Sequence, residues 1–188
     1  MGVLVATLWP FNFWQENQAS RSLQDGLQIV PPSIVYSAAP VLKLSAIEKF
    51  SIVMNLTSSS SGSNGYARIL TYSLDEERMN FMIGQWEDCL VFLVKANGLP
   101  RRVHFEVEGV LKKGERDSLA IVFDGERLSL YRNGEVTRTR KTGPLDFSTW
   151  DKGFPLVIGS EANGKFPWEG QIHSIAIFDW ALSPEELR

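Results

Sequence analysis

Glu106 and Glu108 lie one residue apart in RVHFEVE (102–108), a run whose apolar and polar residues alternate. On a strand, residues two apart project from one face, and two carboxyls about 5 Å apart on one face are what a retaining glycoside hydrolase requires. No third carboxylate follows in step, so the pair reads as solvated surface. Other catalytic chemistries find less support. His104 and His173 are the only histidines and Cys89 the only cysteine, so no Cys-His metal site can be assembled at the usual spacings. There is no Gly-x-Ser-x-Gly elbow, and the Gly-rich pieces at 133–134 and 159–164 do not join a strand to a long helix as a phosphate-binding loop does. Cys89 opens the apolar run CLVFLV without the flanking cations that activate a thiol, and reads as a small core residue. No catalytic residue is assigned, and the chain is expected not to be an enzyme.

Binding chemistry has better material. Sugar rings stack on flat aromatic faces while amides, imidazoles and carboxylates read their hydroxyls. The candidates on or beside expected strands are Trp86, His104, Tyr131, Asn163 and Trp168. Against each stands a plainer role: a strand aromatic is ordinarily core, and Trp168, within FPWEG, is equally placed to plug one end of a sandwich. His173 reads as a hydrogen-bonded structural residue.

The elements that must position these residues are strands. A chain of 188 residues, 44% hydrophobic and 22% charged, suits one domain spanning 1–188 that buries roughly 70% of its unfolded surface. A net charge of −3 supplies no positive field for a phosphate backbone, so nucleic acid is not an expected partner. Runs of four to eight residues at 50–57, 66–73, 79–86, 90–95, 102–108, 118–123, 127–132, 135–140, 155–158 and 171–178 predict an all-β sandwich. Asp124-Gly125 and Asn133-Gly134 predict two tight hairpins in succession, because both turn positions accept positive φ. Pro31-Pro32 interrupts a mixed strand at 28–37, whose first part is expected at an edge or as a bulge. SSSSGSNG (58–65) is a polar loop too short to separate domains. Ser183-Pro-Glu-Glu carries a capping hydroxyl, a proline and a returning glutamate, which predicts a short C-terminal helix from Pro184.

Residues 1–26 form an N-terminal arm. Its apolar stretch, 2–14, is too short to span a bilayer and lacks the basic flank of a signal peptide. Two readings stay open: an edge strand or packing arm, or the outer end of a membrane helix with Trp9 and Trp14 at interfacial depth.

Three stretches resemble laminin-G-like, concanavalin A-like jelly-roll domains. FDWALSPEEL (178–187) is similar to the aromatic residue followed by R-A-L-S-x-E-E-I that ends such domains. LAIVFDGERLSLYRNG (119–134) resembles their V-A-V-T-Y-D-G-x-x-L-x-L-Y-V-N-G, and FSIVMNLT (50–57) resembles the strand that begins their recognisable part. The resemblance covers residue 50 to the C-terminus. It implies an antiparallel jelly-roll β-sandwich acting as a non-catalytic recognition module for carbohydrate at the cell surface. A protein-interaction or structural exterior domain without a sugar site is the first alternative. A glycoside hydrolase is the second, although its E-x-D-x-x-E strand pattern is missing. Leu8-Trp-Pro-Phe-Asn-Phe13 resembles a phrase that follows the last span of VanZ-like membrane proteins, which implies membrane attachment through a segment upstream of Met1 and an extracytoplasmic location. Many relatives hold calcium, with an aspartate of G-x-I-D-E-V contributing. Here GQIHSI (170–175) puts His173 in that place, so the carboxylate ligand the resemblance implies is lost. Asp75, Glu76, Glu77 and Glu161 supply oxygen ligands of the type calcium takes, but an acidic turn is ordinarily just solvated, so no cofactor and no metal site are assigned.

Overall fold

The computed structural model describes residues 20–22, 26–36, 48–60 and 65–188. Most of the N-terminal arm, including the apolar stretch at 2–14 and the phrase at 8–13, and the centre of the polar loop at 61–64 lie outside the described residues. In chain order the strands are β1 (Ser20–Ser22), β2 (Gly26–Ile29), β3 (Val35–Tyr36), β4 (Phe50–Ser58), β5 (Ala67–Ser73), β6 (Met79–Trp86), β7 (Cys89–Val94), β8 (Val103–Val107), β9 (Arg116–Phe123), β10 (Arg127–Arg132), β11 (Glu135–Lys141), β12 (Leu156–Ile158) and β13 (Gly170–Phe178). They form a seven-stranded sheet, β1-β2-β13-β4-β9-β10-β11, and a six-stranded sheet, β3-β12-β5-β6-β7-β8. Every pairing between named strands is antiparallel.

Alternation decides which faces meet. On β4, Phe50, Ile52, Met54 and Leu56 point into the core, where they join Leu119, Ile121 and Phe123 of β9. The six-stranded sheet answers with Tyr72, Phe81, Ile83, Phe92 and Phe105. Phe147 and Trp150 complete this core, their rings 4.8 Å apart between centroids. Such tilted and edge contacts suit the ring quadrupole.

The turns follow their residues. Gly125, Asn133 and Gly134 all have positive φ, so the two successive hairpins form as expected. The β6–β7 turn differs, because Glu87 adopts φ 55°, a left-handed conformation that is uncommon for a residue with a side chain. That turn is tied down from outside: the Asp88 carbonyl accepts from the N–H groups of Val110 and Leu111, at 3.0 and 2.8 Å.

Two expectations are corrected. β2 is not an edge strand but lies between β1 and β13. The proline pair falls after it, in a turn where the Ser33 N–H donates to the Val30 carbonyl at 2.9 Å, so no ladder donor is lost. The chain then enters the other sheet as β3. Nor does a helix form at Pro184. The capping box closes as predicted, with the Ser183 N–H on Glu186 Oε2 at 2.8 Å and the Glu186 N–H on Ser183 Oγ at 3.4 Å, but residues 184–187 make only a turn.

Candidate functional site

Register builds the site. Across β6, β7 and β8 the outward row Met82, Leu93, His104 lies beside the row Gly84, Val91, Glu106, and Trp86 pairs with Cys89 at the end. Met82, Val91 and Leu93, with Met79, form a small apolar patch on which Tyr66 packs. Tyr66 bridges two of the aromatic residues singled out from sequence, with its ring centroid 5.7 Å from Trp86 and 6.1 Å from His104. The absent side chain at Gly84 is part of the design, since a Cβ there would lie 2.7 Å from the Ala67 carbonyl oxygen and 2.9 Å from Met82 Sδ.

Tyr66 is placed by a buried charge network. Glu161 is fully buried and accepts from Arg68 Nε at 2.9 Å and Ser73 Oγ at 2.6 Å. Arg68, whose guanidinium also lies 4.6 Å over the Phe166 ring, donates to the Tyr66 carbonyl at 2.8 Å. An ion pair taken from water needs its remaining lone pairs and protons satisfied to offset desolvation, and here the serine hydroxyl and the Tyr66 carbonyl do that. The segment carrying Glu161 is anchored to the sheet by Thr71 Oγ1 on the Ser160 carbonyl and by Tyr36 Oη on the Ala162 carbonyl. It covers the β5 side of this face; across β6–β8 Met79, Met82 and Val91 are buried as well, and the face opens at its edge, at Trp86, His104 and Glu108.

At this edge a cleft of about 470 Å³ is lined by Trp86, Glu87, Asp88, Cys89, Glu106, Glu108 and Gly109. Trp86 is 44% exposed, which is high for a tryptophan. Glu106 is paired with His104, Oε2 to Nε2 at 3.1 Å. Cys89 is buried; burial, and after it the carboxylates of Asp88, Glu106 and Glu108, push its thiol up to about 11. Glu106 is half-buried and Glu108 exposed, and both line this cleft. The same spacing recurs in Glu115 and Asp117, but there Arg132 holds both carboxylates, at 3.1 and 2.7 Å.

The remaining candidates separate. Tyr131 is on the opposite side of the molecule, where the outward row Ala176, Val53, Ala120, Tyr131 crosses β13, β4, β9 and β10. It lines a groove of about 520 Å³ between this sheet and the C-terminal segment, which contributes Trp180, Leu182 and Leu187. Asn163 is exposed and its Oδ1 accepts from the Lys165 N–H at 3.1 Å, a local turn bond. Trp168 is removed from the list of surface residues: it is fully buried, with Nε1 donating to Gln85 Oε1 at 2.8 Å, and it plugs the sandwich beside Gly170. His173 sits at a register shift in β13 with its Nε2 3.1 Å from Thr57 Oγ1. Tyr66 is the residue that sequence reading missed.

The carboxylates considered for calcium do not fit it. Both Glu161 oxygens are engaged by Arg68 and Ser73, the Asp75 oxygens by Arg78 and the N–H of Glu77, and Glu76 pairs with Lys165. Among the described residues no three His, Cys, Asp or Glu side chains converge to hold a metal ion.

Comparison with known proteins places this architecture. A family model described as the concanavalin A-like lectin/glucanases superfamily matches residues 36–188, whereas no curated protein matches. Among solved structures, the CBM40 of the Ruminococcus gnavus IT-sialidase bound to α2,3-sialyllactose is 17% identical with a TM-score of 0.62, covering 77% of this chain and 82% of that one. The NanB sialidase from Streptococcus pneumoniae, as its K499G mutant, is 16% identical with a TM-score of 0.71 over 87% of this chain; the match spans only 27% of NanB. Domain 4 of AbnA, a GH43 extracellular arabinanase from Geobacillus stearothermophilus, in complex with arabinotriose, is 13% identical with a TM-score of 0.62, covering 90% of this chain and 78% of that one.

Proposed function

For a chain that belongs to the concanavalin A-like lectin/glucanases superfamily, we propose a non-catalytic role as a glycan-binding module that seats a sugar ring on Trp86 in the β6–β8 cleft. The observation that carries this reading is an exposed tryptophan beside carboxylates, with Tyr66 packed against it edge to face. Glu106 and Glu108 are the acceptors for sugar hydroxyls, and His104 orients Glu106 through their 3.1 Å contact. Placement outside the cytoplasm belongs to the same proposal and rests on the resemblance at 8–13 alone. A glycan array tests the reading: wild type binds a defined set of sugars, Trp86→Ala loses at least about tenfold in affinity for it, and Tyr131→Ala retains it. A well-folded protein that binds no glycan would sink the proposal.

Glu106 and Glu108 lining one cleft favours a second reading, glycoside hydrolysis. Catalysis by two carboxyls works by placing them in contrasting environments, the acid in an apolar pocket. Here Glu108 is exposed and Glu106 is half-buried against His104. The expected outcome is no turnover of β-glucans; hydrolysis abolished by Glu106→Gln would establish the second reading instead.

A further inference from the structure

The cleft has a sign. Glu87, Asp88, Glu106 and Glu108 supply four carboxylates to its lining, and among the described residues no lysine or arginine lines it. His104 is engaged by Glu106, while Glu87, Asp88 and Glu108 have no ion-pair partner among the described residues. Resting on the glycan-binding reading, we propose that this cleft selects sugars carrying a free, protonated amine and rejects sugars carrying a carboxylate.

Two features of the site fit an ammonium group together. Trp86 offers an exposed indole, the aromatic surface that attracts a cation most strongly, and the carboxylates around it are acceptors only, able to take every N–H such a group has. A sialylated ligand meets the opposite situation, since its carboxylate would enter a cleft with no cationic donor in its lining. The solved CBM40 that holds α2,3-sialyllactose shares the fold, so the difference in ligand would lie in the side chains of the cleft, as recognition on a shared scaffold generally does.

The experiment is titration calorimetry of the full chain with three probes: a glucosamine oligomer with free amines, its fully N-acetylated counterpart, and 3′-sialyllactose. The free-amine oligomer binds at least about tenfold more tightly than the N-acetylated one at low salt, the gap closes as salt screens it, and sialyllactose binds weakest. Glu108→Gln narrows the gap, whereas Glu126→Gln, the same charge change at an exposed turn on the other sheet, leaves it. Equal affinity for the three probes with binding still lost in Trp86→Ala overturns the charge selection alone and leaves the glycan site standing. Equal effects of the two glutamine variants, or a lysine-rich peptide that matches the free-amine oligomer, also overturn it, since either shows mere attraction to a negatively charged protein. Failure of all three probes and of the glycan array overturns the site and the selection together.

Discussion

The two outer faces of the sandwich use aromatic residues in opposite ways. On the six-stranded sheet, Tyr66 packs on an apolar patch and meets Trp86 edge to face, and four carboxylates rim the cleft beside them. On the seven-stranded sheet, Phe178 and Trp180 pack edge to face, 5.0 Å between centroids, and the C-terminal segment closes over small residues. That segment is held by Ser51, whose hydroxyl donates to the Trp180 carbonyl and accepts the Leu182 N–H. Among the described residues Glu186 is the only charged one lining its groove. One face keeps its aromatic ring available and its charges uncompensated; the other spends its aromatic rings on holding its own chain.

The contrast is broken most forcefully at Arg68. Arg68→Ala leaves Glu161 as a buried carboxylate without its cation, and the expected cost is about 3–5 kcal/mol, read from urea unfolding. Glycan affinity should fall with it, because Tyr66 loses the donor on its carbonyl. If Arg68→Ala unfolds like wild type, the buried pair does not organise this face. Gly84→Ala comes next: its Cβ meets backbone at Ala67, and overpacking of this kind costs about 1–3 kcal/mol, measurable as a lower melting temperature. On the other face, Trp180→Ala should cost about 1–2 kcal/mol and leave glycan affinity unchanged; lost binding there would move the site to the seven-stranded sheet. Trp86→Ala should show the reverse pattern, with stability within about 1 kcal/mol of wild type and binding lost. The smallest effect is expected at Cys89. Its thiol is buried and pushed up to about 11, so at pH 8 it stays protonated and unalkylated by iodoacetamide in the folded protein and reacts fully in urea. Rapid labelling in the folded state would show the cleft to be more open than described.

The strands and their hairpins were legible because their signals are local. Alternation along β4 and β8, and Gly or Asn at the β9–β10 and β10–β11 turns, need no knowledge of distant residues. The β6–β7 turn carries no such residue; Gln85 Nε2 donates to the Glu87 carbonyl and the N–H groups of residues 110–111 bind the Asp88 carbonyl, contacts that no local pattern announces. The site was half legible for the same reason. Trp86 and His104 stood out by type, but the Tyr66 that joins them is 20 and 38 residues away in sequence and reaches them only through the register of β5 to β8. The Arg68–Glu161 pair spans 93 residues and leaves no local pattern at all. Trp168 had the composition of a ligand platform, but the partner that draws it inward, Gln85, lies 83 residues earlier. At the C-terminus the capping residues were read correctly and the helix was not, because a capping box also closes an isolated turn.

The central position of β13, between β2 and β4, governs when this protein can fold. During synthesis β4 emerges more than a hundred residues before the strand that completes its ladder, so the seven-stranded sheet stays split, with Ile172 and Ile175 missing from its core, until that late strand is made. Pairings so distant in sequence form slowly, and a nascent chain waiting with an open β4 edge and an exposed apolar face is the state from which aggregation starts. The yield of folded protein should therefore depend less on any residue of the cleft than on how promptly residues 170–178 are delivered, and stalling the ribosome just before them should leave a protease-sensitive chain.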